Sequence, residues 1–290
     1  MIFFYIYQNL NYMKKITLLS AVLLLTLNAF AQKKEKIKGS KVVVNVKYEV
    51  DAFTEVEVED NLIVFFVKSD KNKVEVESDD NIQTAINHQT YGKSLRLNTN
   101  KEIASFKKLA VTVFYTDSLN LISVRHEAKI NAVSEIKLNK INIKTNDFSE
   151  SNLIVNSSNF VLNANDKSKV NINLKSEDAI VEMSKNAILK GKIAATNLKL
   201  DMYQKAKAEL EGDCAVLKLR LDNDAKFEGQ KMATKKIELT TEADSSSEIY
   251  SAGDISISAS GKTETEIYGD PKIEIIKFAD QAILKKKIRK

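Results

Sequence analysis

Two histidines, His88 and His126, and one cysteine, Cys214, are the whole supply of imidazole and thiol in this 290-residue chain. A Ser–His–Asp arrangement needs a histidine beside an exposed serine. His126 stands in "SVRHEAK" between Arg125 and Glu127. No G-x-S-x-G elbow occurs, so His126 and His88 both read as surface histidines. A single cysteine excludes an intramolecular disulfide. Carboxylates are the remaining chemistry. Glycoside hydrolysis needs two of them about 5–10 Å apart, and Asp147, Asp166, Asp222, Asp224 and Asp244 fall at similar positions of repeated segments. They lie among lysines and asparagines without clustered aromatics, the composition of turns closed by Asx hydrogen bonds. Calcium in a β-roll requires a strict G-G-x-G-x-D repeat; "DNDAK" and "EADSSSE" carry oxygen ligands without the glycines. The residues therefore imply no catalytic group, no metal and no cofactor.

Surface recognition is a different matter. "SSSEIY" and "TETEIY" place Tyr250 and Tyr268 at equivalent positions of successive segments, which predicts two tyrosines stacked about 5 Å apart. Ser247 and Thr265, with Ser245, Ser246 and Thr263, are expected to form a polar strip beside them. Such a patch suits a sugar ring or a protein surface, and an aromatic pair also contributes roughly 0.2–1 kcal/mol to the sheet itself.

The elements that would position these residues repeat. From about Leu119 the chain divides into units of some 17 to 23 residues, among them "NFVLNANDKSKVNINL", "VLKLRLDNDAKFEGQK" and "DISISASGKTETEIYGDP". Each has a short alternating strand, a polar turn, a small residue and a second short strand. Ala128, Ser151, Ser168, Ala187, Ala208, Ala225, Ser247, Thr265 and Ala282 align as the small residue, each followed two positions later by an apolar one. Strands this short cannot bury a face alone. Stacked in parallel, each pairs with its equivalent one coil away. Few glycines are present for hairpin turns of the Asn-Gly kind. The reading is all-β: a parallel β-solenoid over residues 119–284.

Residues 32–118 have longer alternating strands ("SKVVVNVKYEV", "LAVTVFYTDSL") and no clean period. They read as an irregular β subdomain or a cap over the first coil's edge. Ahead of them, "MKKITLLSAVLLLTLNAFAQ" joins Lys14 and Lys15 to an apolar run, Ile16 to Leu27, and a small-x-small site ending at Ala31. Residues 1–31 thus read as a signal peptide, with Met13 an alternative start. The run is shorter than the 20 or so apolar residues of a bilayer span, so no retained membrane span is expected. Without that segment the net charge is about +3, dispersed among acids, which excludes a nucleic-acid partner. The basic tail 285–290, "KKKIRK", reads as a solvated terminus.

The order of segments resembles the bacterial family called putative autotransporter adhesin, head GIN domain. "VDAFTEVEVEDNLIVFFVK", "KVEVESDDNIQTAINHQTYGKSLRLNTN", "LAVTVFYTDSLNLISVRHEAKI" and "EIYGDPKIEI" carry the resemblance in sequence order. Its corners differ from the family's Gly/Ser-rich ones, reading "RHEAK", "NDKSK" and "DNDAK". The resemblance implies a right-handed parallel β-helix, a Bacteroidetes-type exported protein and an adhesive role.

Together these readings give an exported, non-enzymatic envelope protein, periplasmic or at the cell surface. It would bind an envelope polysaccharide or a surface protein through the solenoid's side; a homo-oligomer joined through an open coil end is a further reading. A carbohydrate-active enzyme with an unrecognised acidic site is the alternative.

Overall fold

A computed structural model describes residues 34–288; the leader assigned to 1–31 and the last two residues of the basic tail lie outside them. Nearly everything described is strand. From Ile136 to Ala259 the chain is a run of long strands, of which Glu150–Ala164, Lys169–Met183, Ile188–Met202 and Lys207–Leu221 are typical. Each pairs in parallel with the next, Lys169 facing Ile188 and Ile188 facing Lys207. Alternation explains why: buried and exposed residues alternate along Lys169–Met183 with one interruption, at Ser176–Asp178, where the strand bends and its second arm begins. A coil is thus one bent strand and one four-residue corner.

The registers correct the alignment of the small residues. The column after each corner is Ala128, Ser149, Ser168, Ala187, Ala206, Ala225, Ser245, Thr263 and Ala282. Four positions expected there, Ser151, Ala208, Ser247 and Thr265, stand two residues further on, in the next inward column. A slip of two leaves every side chain on its own face, so alternation cannot detect it. The true spacing is tighter than 17–23, with residue i facing i+19 through the regular coils, as Asp178 faces Asn197.

The parallel stack also runs upstream of Leu119, out of sequence order. Glu55–Val58 pairs with both Leu121–Val124 and Ser94–Thr99, and Ile63–Lys68 with both Lys129–Ala132 and Leu109–Tyr115. The chain lays one coil, leaves it to build the next coil outward, then returns to stack the regular coils on the other side. Beyond the outermost coil the pairing turns antiparallel: Ile86–Tyr91 on Ser94–Thr99, Lys73–Asp79 on Leu109–Tyr115, and Val43–Glu49 on Lys73–Asp79. A 3₁₀ turn, Asp80–Ala85, buries Ile82 completely over this end. One apolar core continues from Phe53 to Ile267.

Candidate functional site

The corners follow one recipe. Two consecutive residues take positive φ: Asp60/Asn61, His126/Glu127, Asp147/Phe148, Asp166/Lys167, Lys185/Asn186, Gln204/Lys205 and Asn223/Asp224. The residue before the pair accepts a hydrogen bond from the one after it, as Asn165 does from Ser168 at 3.1 Å. Paired positive φ is what a type I′ turn requires, and asparagine and aspartate tolerate it best after glycine. The glycine-poor corners are therefore of the tight left-handed kind that the sequence had seemed to lack. Each left-handed residue costs roughly 1 kcal/mol. Bonds between neighbouring corners offset this: Phe148 N–H donates to the Asp166 carbonyl, Lys167 to Lys185, Asn186 to Gln204 and Lys205 to Asn223, all within 3.0–3.2 Å. The small column follows because the chain turns inward at once and leaves room for little beyond Cβ.

A groove runs along this ridge. Its first stretch encloses about 990 Å³ between the corners of Asp60, His126 and Asp147 and a two-stranded flap, Lys36–Lys38 paired with Glu102–Ser105. Ile103 and Phe106 form the flap wall, and an ion pair from Lys34 to Asp60 ties the flap to the ridge. A second stretch of about 840 Å³ continues down the corners to Asn223 and Asp224. Asp147, Phe148 and Lys167 line both.

Phe148 is the exception on the ridge. Every other residue in the seven pairs is polar or charged; this one is a phenylalanine at φ 39°, 57% exposed, with the Lys167 ammonium 4.8 Å from its ring. A bulky side chain in the left-handed region is an outlier that invites a functional reading. Phe106, 44% exposed, lines the same groove.

The groove's electrostatics are mixed. Glu59 accepts from Arg125 Nε at 2.9 Å, and that hydrogen bond raises the guanidinium pKa further. His126 lies between Glu59 and Asp147, at 3.7 and 3.6 Å. Its partners there are carboxylates rather than a serine, which matches the surface reading. Asp166 faces Lys185 at 3.3 Å, and Glu150 is held below the usual carboxylate range chiefly by its hydrogen bond from Lys129. The described residues contain no cluster of three or more groups able to hold a metal. Cys214 is buried, and burial pushes its thiol up to about 11, far from a reactive thiolate.

The expected recognition patch is only partly at the surface. Tyr250 and Tyr268 do face each other on adjacent coils, both half-buried, with the Tyr268 hydroxyl donating to Glu266 at 3.2 Å. Ser247 and Thr265 are interior: both are 2% exposed and bonded to each other at 3.0 Å. Ser245 and Thr263 are buried as well. With the tyrosines pointing out, alternation sends residues 247 and 265 inward. None of these residues lines the groove. Sequence reasoning set aside the corners that do. The available signal was Phe148, an aromatic in a "NDFSE" turn where its neighbours read "NDKSK" and "DNDAK".

A family model described as putative auto-transporter adhesin, head GIN domain, matches residues 52–173 and again 162–271. The chain belongs to this family. The two matches overlap over residues 162–173, less than one coil of the continuous stack. Among solved structures, a putative adhesin from Parabacteroides distasonis superposes with TM-score 0.63 at 15% identity, covering 87% of this chain and 100% of that one. One from Parabacteroides merdae gives 0.59 at 17%, covering 88% and 98%. A putative lipid binding protein from P. distasonis gives 0.58 at 14%, also covering 88% and 98%. These likenesses establish a shared fold. No curated protein matches the sequence.

Proposed function

We propose that the chain is an exported, non-enzymatic binding module of the cell envelope that takes an extended envelope polysaccharide along its corner groove. The observation that carries this reading is Phe148: an aromatic held at unfavourable φ, exposed, at the point shared by both stretches of the groove. A flat apolar ring flanked by lysines, carboxylates and asparagines suits the face of a sugar and its hydroxyls. The ridge's repeat of about 4.8 Å offers successive weak contacts to a polymer. Family membership and neighbours described as adhesins support a binding role, and the leader-like residues 1–31 support export.

The test is a binding screen against purified envelope polysaccharides, comparing the chain with Phe148→Asn and with Tyr250→Ala/Tyr268→Ala. Asparagine keeps the left-handed corner while removing the ring. The reading expects Phe148→Asn to weaken binding about tenfold, the equivalent of ~1.4 kcal/mol, and the tyrosine pair to matter little. If only the tyrosine variant loses binding, the ligand lies on the coil's side face instead. Cleavage of the bound glycan would overturn the non-enzymatic assignment.

A further inference from the structure

The last coil differs from all the others. Its strand Lys272–Phe278 pairs with Ser246–Ala259 on one side, and Ile283–Lys286 pairs with Glu264–Tyr268 on one side; no described residue pairs with the other edge of either. The positions that are core one coil earlier, Ile255, Ile257 and Ala259, become Ile273, Ile275 and Phe278, which are 40–53% exposed. Ile276, Ile283 and Ile288 are exposed beside them. An apolar end bordered by unpaired backbone donors and acceptors is a template for another strand.

We propose that a second copy of this chain covers this end, tail to tail, with Lys272–Phe278 antiparallel to its equivalent across a twofold axis. Three observations select this occupant. First, the other end of the solenoid is closed by antiparallel strands and the buried Ile82. The outer strands there, Val43–Glu49 and Ile86–Tyr91, also pair on one side only, but they lie over a covered core; apolar end meets apolar end, which gives a closed dimer rather than a filament.

Second, the strand is complementary to itself. A bulge leaves Ile276 without a partner, so that Ile273, Ile275 and Phe278 all face the core side while Lys272, Glu274 and Lys277 face out. With the axis between Ile275 and Ile276, Ile273 meets Phe278 of the second copy and Glu274 meets Lys277, each contact occurring twice. Residues opposed across an antiparallel pair must point to the same face, and only the bulge allows this register. Among the described residues Glu274 and Lys277 are in no ion pair, whereas Lys285, Lys286 and Lys287 are already tied back to Glu264, Asp270 and Glu266. Lys272 on the same face is also in no ion pair among them, and Lys277 Nζ donates only to the Ser260 hydroxyl, at 3.2 Å; the register of the dimer brings Glu274 to Lys277.

Third, the size is adequate. A coil cross-section of roughly 25 by 20 Å contributes roughly 500 Å² per copy, or about 1,000 Å² in all, the lower limit for a specific interface. Hydrocarbon would cover the isoleucines but leave the strand's N–H and C=O groups unpaired.

Sedimentation of the chain as purified from expressing cells, between about 1 and 200 µM, tests the proposal; micromolar dimerisation is expected for an interface this small. Ile275→Lys should abolish the dimer with its circular dichroism unchanged. Glu274→Lys and Lys277→Glu should each weaken it about tenfold or more, and the double exchange Glu274→Lys/Lys277→Glu should restore it, a rescue that no general loss of folding can mimic. A chain monomeric throughout, a dimer indifferent to Ile275→Lys, or species that grow beyond dimers would overturn it. So would a monomer that binds vesicles of phosphatidylglycerol and phosphatidylcholine through the same isoleucine, which would mark the end as a lipid-facing surface. Loss of dimer leaves polysaccharide binding at Phe148 unaffected, so the two readings fail separately.

Discussion

The two ends of the solenoid solve one problem in opposite ways. Both expose the edge of a parallel stack. At the N-terminal end the chain doubles back, turns its pairing antiparallel and lowers Ile82 onto the core. A buried carboxylate fixes the arrangement: Asp79 accepts from the backbone N–H groups of Lys41, Lys107 and Lys108 at 2.9–3.1 Å, joining three separate segments. At the C-terminal end the same inward columns simply stop, in isoleucine and phenylalanine. Covering a coil takes strands laid out of sequence order at one end, while among the described residues nothing covers the other. That exposed apolar edge is what the proposed dimer covers.

The sharpest way to break this comparison is to put one charge at each end. Ile82→Lys should cost about 4 kcal/mol or more, because it buries an unpaired ammonium. Ile275→Lys, measured dilute enough that any dimer has dissociated, should stay within about 0.5 kcal/mol of the parent. Urea melts of the two variants decide it; equal losses would mean that the open end is as much core as the closed one.

Titration separates the ends next. Burial pushes the Asp79 carboxyl up, but the N–H groups of Lys108, Lys107 and Lys41 outweigh it and its pKa lies below the ordinary value. A depressed carboxyl stabilises the fold above its unfolded pKa, and the contribution disappears as pH falls through the folded value. Thermal melts of Asp79→Asn should therefore show a loss at neutral pH and a flatter acid limb than the parent. Near the open end the sign reverses. Burial, then Glu228 and Glu266 one coil to either side, raise the pKa of Glu248. The folded chain holds that proton longer, so this site loses stability as pH rises from about 4.3 through its folded value. Glu248→Gln should raise the neutral melting temperature slightly, by the equivalent of at most about 0.5 kcal/mol, and change little in acid.

Much of this was legible in the residues. Alternation of apolar and polar residues announced strands, and their repetition announced stacking. Asp147, Asp166 and Asp224 were correctly put at turns. Other features were hidden for definable reasons. The left-handed corners escaped because asparagine, aspartate, lysine and glutamine carry them where glycine was sought. The upstream coil escaped because its partners lie 39 and 66 positions away, Glu55 facing Ser94 and Leu121, so no local period marks it. The groove joins a flap near Glu102 to a corner near Phe148, and no spacing rule connects them.

The sequence by itself determined which face each side chain takes, because a strand's period of two is local and survives any even shift. Only the tertiary structure decided which residues lie on top of one another, since register depends on where corners and bulges fall. That is why the small column after the corner falls at Ser245 and Thr263 rather than at Ser247 and Thr265, and why one bulged residue, Ile276, sets what the open end can meet.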